Sequence, residues 1–247
     1  NTSELSMHLK SLAFSIATAL ALHSAPAAFL VIDLPGTSAQ DSWSGLTPDN
    51  YPGYPSYPTS ANAWPSPIAG SGTGGALFNK TAGLGFPSSG GGIYVGGMTS
   101  GTGSFTLADA APVAGLETVV FQIDFEGVGS DWATILTGLS LNYNGGSQGL
   151  SATFTEVVSA VQTSVQFGQP AYRFSLAFQW DLTAIAGPIT AFDVDWTAAE
   201  HSVTYGMQLN QGDTMVQAVP EPSVYGMMAA AAIAVLVWRR RRIAFRP

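Results

Sequence analysis

Few residues in this chain carry the chemistry of catalysis. Histidine is the usual base for a nucleophile, and the three histidines are His8, His23 and His201. Only His201 falls in the central part of the chain, so any Ser-His-Asp centre would depend on it. There is no cysteine, which excludes disulfides, thiolate nucleophiles and Cys-ligated metals, and no G-x-S-x-G elbow occurs. Carboxylates are more numerous. Asp124 and Glu126, and again Asp193 and Asp195, are spaced i and i+2, which on a strand places each pair on one face at about 6 to 7 Å. That separation suits the two carboxyl groups of glycoside hydrolysis, about 5 to 9.5 Å apart. Both pairs also occupy the polar side of an alternating pattern, where any acidic outer surface would put them, and no catalytic residue is assigned. The same oxygens, in "DFE" and "DVD", suit Ca²⁺. No loop has the D-x-D-x-D-G spacing, however, and the Gly-rich run from 70 to 103 lacks a Gly-Lys-Ser/Thr ending, so no metal or cofactor is assigned.

Hydrophobic periodicity gives the strands on which these residues are carried. In "VVFQIDFEG", Val119, Phe121, Ile123 and Phe125 share one face, and Gln122, Asp124 and Glu126 the other. In "YRFSLAFQWDL", Tyr172, Phe174, Leu176, Phe178 and Trp180 alternate with Arg173, Ser175, Gln179 and Asp181. "ITAFDVDW" and "HSVTYGMQL" repeat the period of two that marks half-buried antiparallel strands. "ILTGLSLNYNGG" and "LSATFTEVVSAVQTSVQF" add strands, with Asn and Gly of "NYNGGSQG" supplying a turn. This pattern predicts an all-β fold, an antiparallel two-sheet sandwich of jelly-roll type, over residues 104–217. Residues 28–103 read as a looser first part of the same ectodomain. Tyr-Pro pairs begin at Tyr51, Tyr54 and Tyr57, and glycine then dominates, so a continuous sheet is not expected there. Its aromatic residues are costly to leave in water and favour an ordered arm packed on the domain.

Composition and charge narrow the partners. The 247 residues are 46% hydrophobic and 10% charged, which fits one sizeable domain with appendages. From Ala28 to Val219 two basic residues, Lys80 and Arg173, face fourteen acidic ones, a net charge of −12. Such a body repels phosphate backbones and lacks the basic face that nucleic-acid binding needs.

The two ends differ from the body. Residues 1–27 contain Met7 and Lys10, the apolar run "SLAFSIATALAL" and small residues at Ala25 and Ala27, the pattern of a secretory signal helix cleaved after Ala27 or Ala28; residues 1–6 are expected to precede the true start at Met7. Near the other end, Val224 to Trp238 form an apolar run of fifteen residues, roughly 22 Å as a helix against a hydrocarbon core of about 30 Å. Arginine stems that snorkel and an interfacial Trp238 offset the short length. Arg239, Arg240, Arg241 and Arg242 then act as a membrane stop that keeps the C-terminus cytoplasmic. Just before the run, Pro220, Glu221 and Pro222 form a stiff, extended element.

Pro-Glu-Pro, a short apolar helix and an arginine cluster, with a signal peptide at the opposite end, resemble the PEP-CTERM sorting signal, here over residues 218–247. The resemblance implies export from a Gram-negative bacterium that makes extracellular polysaccharide. It further implies processing by an exosortase, a membrane transpeptidase that reads Pro220, Glu221 and Pro222 while the single transmembrane helix holds them at the inner membrane. The chain is then a substrate and not an enzyme, destined for the cell surface or extracellular matrix with a structural or binding body. The alternative for the body is a carbohydrate-binding module, with Trp43, Tyr51, Tyr54, Tyr57 or Trp64 as an exposed sugar-stacking platform and extracellular polysaccharide as partner. A glycoside hydrolase using Asp124 or Glu126 ranks below both.

Overall fold

The computed structural model of the protein describes residues 29–219. The signal helix, the Pro-Glu-Pro element, the transmembrane run and Arg239 to Arg242 lie outside the described residues. Within them the chain forms β1 (Ser38–Trp43), β2 (Ile68–Ala69), β3 (Ser71–Gly72), β4 (Leu77–Gly83), β5 (Phe86–Pro87), β6 (Ile93–Val95), β7 (Gly103–Asp109) and β8 (Thr118–Val128). A single helical turn, α1 (Trp132–Ile135), leads into β9 (Leu136–Tyr143), β10 (Phe154–Gln166), β11 (Gln169–Asp181), β12 (Phe192–Ala198) and β13 (Ser202–Gly212).

All strand pairs are antiparallel and fall into two sheets. The first has the order β10-β11-β8-β13-β1-β3, with β6 on the free end of β13 and β5 beside β6; the second has the order β2-β4-β7-β12-β9. From β7 onward the chain passes between sheets at β7–β8, β8–β9, β9–β10, β11–β12 and β12–β13. Turn chemistry accounts for two of the reversals. Asn144 and Gly145 both have positive φ, 53° and 69°, and Gly146 N–H donates to Tyr143 O at 3.0 Å, the two-residue turn anticipated from "NYNGG". Phe167 and Gly168, at φ 52° and 77°, turn β10 back onto β11.

The expected period of two holds on the inward side of β8, β11 and β12; in β13, where Val203, Tyr205, Met207 and Leu209 are expected inward, a register shift between Thr204 and Gly206 turns Val203 and Tyr205 to the outer face and leaves Met207 and Leu209 buried. Phe105 and Leu107 of β7, and Phe192, Val194 and Trp196 of β12, face Phe121 and Ile123 of β8 and Phe174, Leu176 and Phe178 of β11, all buried in one cluster. Trp196 sits among Phe78, Phe105 and Phe121, with ring centroids at 5.8, 5.9 and 5.2 Å, close enough for favourable quadrupole contacts.

Residues 29–103 are more regular than their Pro and Gly content implies, because their pairing partners are distant in sequence. β1 pairs with β13 over six residues, Ser38 with Gly212 through Trp43 with Met207. Gly72 lies so close to Gln40 that an added Cβ would stand 1.9 Å from the Gln40 carbonyl oxygen, so only glycine fits there. The arm between β1 and β2 is ordered, as the cost of exposing its rings predicts. Tyr51, Tyr54, Trp64 and Phe78 make successive edge contacts of 5.6, 5.4 and 5.1 Å that lead into the core, and the Lys80 ammonium group donates to Ser60 O and Asn62 O at 2.7 and 2.6 Å. Burial without a counter-charge pushes Lys80 down to about 8.

Candidate functional site

The catalytic candidates are brought into view and found to be occupied. His201 lies in the turn before β13 at φ 63°, with Nδ1 2.9 Å from the Tyr94 hydroxyl and its ring 4.4 Å from that of Phe167. Among the described residues no serine hydroxyl bonds it. Asp124 and Glu126 share the outer face of the first sheet. Arg173, paired across from Glu126, donates Nε–H to Asp124 Oδ1 at 2.8 Å and Nη2–H to Oδ2, a fork-on-fork geometry that raises the guanidinium pKa. Its plane lies 4.2 Å over the Tyr205 ring, and Glu126 accepts from Gln166 Nε2 and the Tyr205 hydroxyl at 3.2 and 3.3 Å. Asp193 and Asp195 stand on the outer face of the second sheet, where the Asn142 side-chain amide donates to both, at 2.9 and 3.0 Å. Burial, reinforced by the charge of Asp193, pushes the Asp195 carboxyl up. Lys80 and Arg173, the two basic residues of the body, are thus both engaged internally.

Two further carboxylates escaped sequence reading. Asp41 and Asp109 are each 1% exposed. Asp41 accepts from Ala76 N at 3.0 Å, and Asp109 accepts from Ala111 N and Gln211 Nε2 at 2.8 and 2.7 Å. Burial raises Asp41, with Asp109 adding to the effect. Both carboxylates order loops, and nothing in their local sequence separates them from the surface acids.

The aromatic platform expected from the arm does not form. Trp43 and Trp64 are 2% and 7% exposed; each indole N–H donates to a main-chain carbonyl, Ile68 O and Gly85 O, both at 3.0 Å. Tyr51 and Tyr54 pack against the core, and of the five only Tyr57 is exposed, at 62%. Indole rings bury more apolar area than any other side chain and take their N–H partner with them, which is why they are drawn inward. A cleft with one half-buried aromatic ring lies elsewhere, where the edges of the two sheets part between β9 and β10. Trp132 and Phe178, 5.7 Å apart, line a cleft of about 340 Å³ together with Leu136, Thr137, Gly138 and Thr155. No charged side chain lines it. Trp132 is set there by α1, whose first turn is capped by Asp131 Oδ1 accepting from Ala133 N at 3.0 Å.

The unforeseen feature is on the outer face of the first sheet, at four paired positions: Val120 opposite Gln179, and Gln122 opposite Ala177. All four are fully buried, because both ends of the body lie across them. From the N-terminal side, Leu30 N–H donates to Gln122 Oε1 at 2.7 Å and Leu30 O accepts from Gln122 Nε2 at 3.0 Å. From the C-terminal side, Val216 O accepts from Gln179 Nε2 at 2.6 Å, while Ala218 N–H and Val219 N–H donate to Gln179 Oε1 at 2.9 and 3.0 Å. Leu30, Ile32, Ala218 and Val219 then pack with Val120 and Ala177 in one apolar cluster. The two end segments are also tied to each other, Thr37 N–H donating to Asp213 Oδ1 at 2.8 Å and Asp213 N–H to Thr37 O at 3.0 Å. A glutamine amide offers one donor group and one acceptor, so it satisfies an extended main chain as a neighbouring strand would.

Comparison with known families accounts for the chain beyond Val219. Residues 218–242 match the PEP-CTERM protein-sorting motif. The chain carries a PEP-CTERM sorting signal. The protein is therefore exported and undergoes a membrane-associated sorting step by an exosortase-type enzyme. The motif begins inside the described body, since Ala218 and Val219 are its first two residues. No curated protein and no solved structure matches the chain. Among the described residues no helix is long and apolar enough to cross a membrane, and no group of three or more His, Asp or Glu side chains is placed to hold a metal ion.

Proposed function

We propose that this is a non-enzymatic surface or extracellular-matrix protein of a Gram-negative bacterium, built as a jelly-roll-like sandwich. It is delivered by an N-terminal signal peptide (residues 1–27), held at the inner membrane by its C-terminal helix with Arg239 to Arg242 as the cytoplasmic stop, and processed at Pro220, Glu221 and Pro222. The sorting motif at 218–242 is the observation that carries this reading. A non-enzymatic body is supported by the engagement of Asp124, Glu126, Asp193 and Asp195 in structural hydrogen bonds. Residues 28–103 form the first part of the ectodomain and residues 104–217 its sandwich core, the described residues of both contributing to one core cluster. The test is the mass of the C-terminus after expression with and without an exosortase-type enzyme. A shortened or transferred C-terminus only when the enzyme is present supports the reading; an intact tail in both hosts overturns it. Replacing Pro220, Glu221 and Pro222 by alanine should leave membrane association unchanged and abolish processing.

A carbohydrate-binding role is favoured by one observation, the uncharged cleft lined by the half-buried Trp132 together with Thr137 and Thr155, with the buried Phe178 ring packed edge-on against Trp132. An indole ring and hydroxyl groups without charge fit a neutral glycan. Binding to neutral extracellular polysaccharide that is lost in Trp132→Ala supports it, and unchanged retention of the variant counts against it.

A further inference from the structure

Enzymes that cut or transfer a polypeptide hold it extended and pair with its main-chain N–H and C=O groups, as an added strand would. On the upstream side of Pro220, several of those groups are already taken. Val216 O, Ala218 N–H and Val219 N–H are all bonded to Gln179, Met215 N–H donates to Glu117 Oε2 at 3.1 Å, and Val219 is fully buried against the sheet. The body therefore grips the first two residues of the sorting motif.

We propose that this grip is a latch: Gln179 withholds the main chain of residues 216–219 from the processing enzyme, and sorting proceeds from the state in which the segment 213–219 has left the sheet. The inference rests on the reading of the tail as a processed substrate. It makes Gln179 a positioning residue of the substrate itself, acting on access to the motif and not on the motif's own chemistry. The neighbouring N-terminal segment shares the load, because Leu30 and Ile32 complete the apolar cluster over Val120 on which Ala218 and Val219 rest. Local opening of such a segment costs less than global unfolding, since few contacts must break.

The latch is tested on the full chain in a host that contains the processing enzyme, by following conversion of precursor to product after a pulse of synthesis. Gln179→Leu keeps the volume but removes the hydrogen bonds, and processing should accelerate about fivefold for each bond of ordinary net strength that is lost. Gln122→Leu, which touches Leu30 and not the motif, should accelerate it less. Because Gln179→Leu could disturb folding, a second variant works in the opposite direction. The chain has no cysteine and Val120 packs with Val219 in one cluster, so Val120→Cys with Val219→Cys is the pair chosen to join the segment to the sheet; the oxidised form should accumulate as precursor and be released by reductant. Processing of Gln179→Leu at or below the wild-type rate, with normal conversion of the oxidised double-cysteine chain, overturns the latch alone. A wild-type chain that is never processed overturns the sorting reading and the latch with it.

Discussion

On the outer face of the first sheet, Val120, Gln122, Ala177 and Gln179 are fully buried beneath the two ends of the body. On the outer face of the second sheet, Asn142, Asp193 and Asp195 remain half-buried and bond to one another. The sheets share a core, and outside it these two patches differ in the kind of polar group each displays. A carboxylate only accepts, so it can hold an amide or a guanidinium but cannot satisfy both the N–H and the C=O of a passing main chain. A glutamine does both. The first sheet continues the amide pattern across its width, with Gln208 Nε2 donating to Asn210 Oδ1 at 2.9 Å and Asn210 Nδ2 to Gln40 Oε1 at 3.1 Å. That patch, beside the Asp124, Arg173 and Glu126 cluster of the same face, is a bed for polypeptide, whereas the Asn142, Asp193 and Asp195 patch of the second sheet is half-buried and acidic, and the sorting signal begins on the former.

Variants on the two faces should differ most where charge is shielded. Arg173→Met leaves Asp124, 4% exposed, as a buried carboxylate without its partner, and should destabilise the full chain by about 3 kcal/mol in urea unfolding. Gln122→Ala strands the Leu30 main chain and should cost about 2 kcal/mol. The counterpart on the open face, Asn142→Ala, frees two carboxylates that water can reach, and about 1 kcal/mol is expected. Equal losses for Gln122→Ala and Asn142→Ala would break the contrast. The smallest effect comes from Asp193→Asn. Asp195 titrates above its ordinary value because of burial and then its neighbour's charge, so folding binds protons there and its contribution declines as pH rises above about 4. Removing the Asp193 charge should therefore raise thermal stability by about a degree or two at pH 7 and leave it unchanged near pH 3, a difference that scanning calorimetry at the two pH values resolves.

Much of the sandwich is legible in its sequence. The inward faces of β8, β11 and β12 are written in strict alternation, whereas in β13 the register shift between Thr204 and Gly206 turns Val203 and Tyr205 outward and leaves only Met207 and Leu209 inward; the Asn144-Gly145 turn is signalled by the two positive φ values it requires. The sorting signal is equally legible, because its information is contained in one continuous stretch. β1 is not: "SAQDSW" is largely polar, and its pairing comes from Met207 to Gly212, far along the chain. Trp43 and Trp64 are as consistent with a surface platform as with a core until their N–H partners, Ile68 O and Gly85 O, are located. The covered outer face did leave a trace. Val120 and Ala177 interrupt the polar side of two otherwise alternating strands, and each is paired across the strands with a glutamine where positions such as Asp124, Glu126, Arg173 and Ser175 carry charge or a hydroxyl. Apolar residues set diagonally on neighbouring strands of a nominally wet face imply a cover, although the segments that form it are supplied by the ends of the body.

Whether the sorting signal begins as part of the folded body is measured directly by hydrogen exchange at the Ala218 and Val219 amides in the full-length protein. Bonded to Gln179, with Val219 buried and Ala218 partly buried on the sheet, both amides should exchange far more slowly than an open chain, and Gln179→Leu should abolish that protection while β8 stays protected. Exchange of Ala218 and Val219 at the open-chain rate in the wild-type protein, with β8 protected, would contradict it.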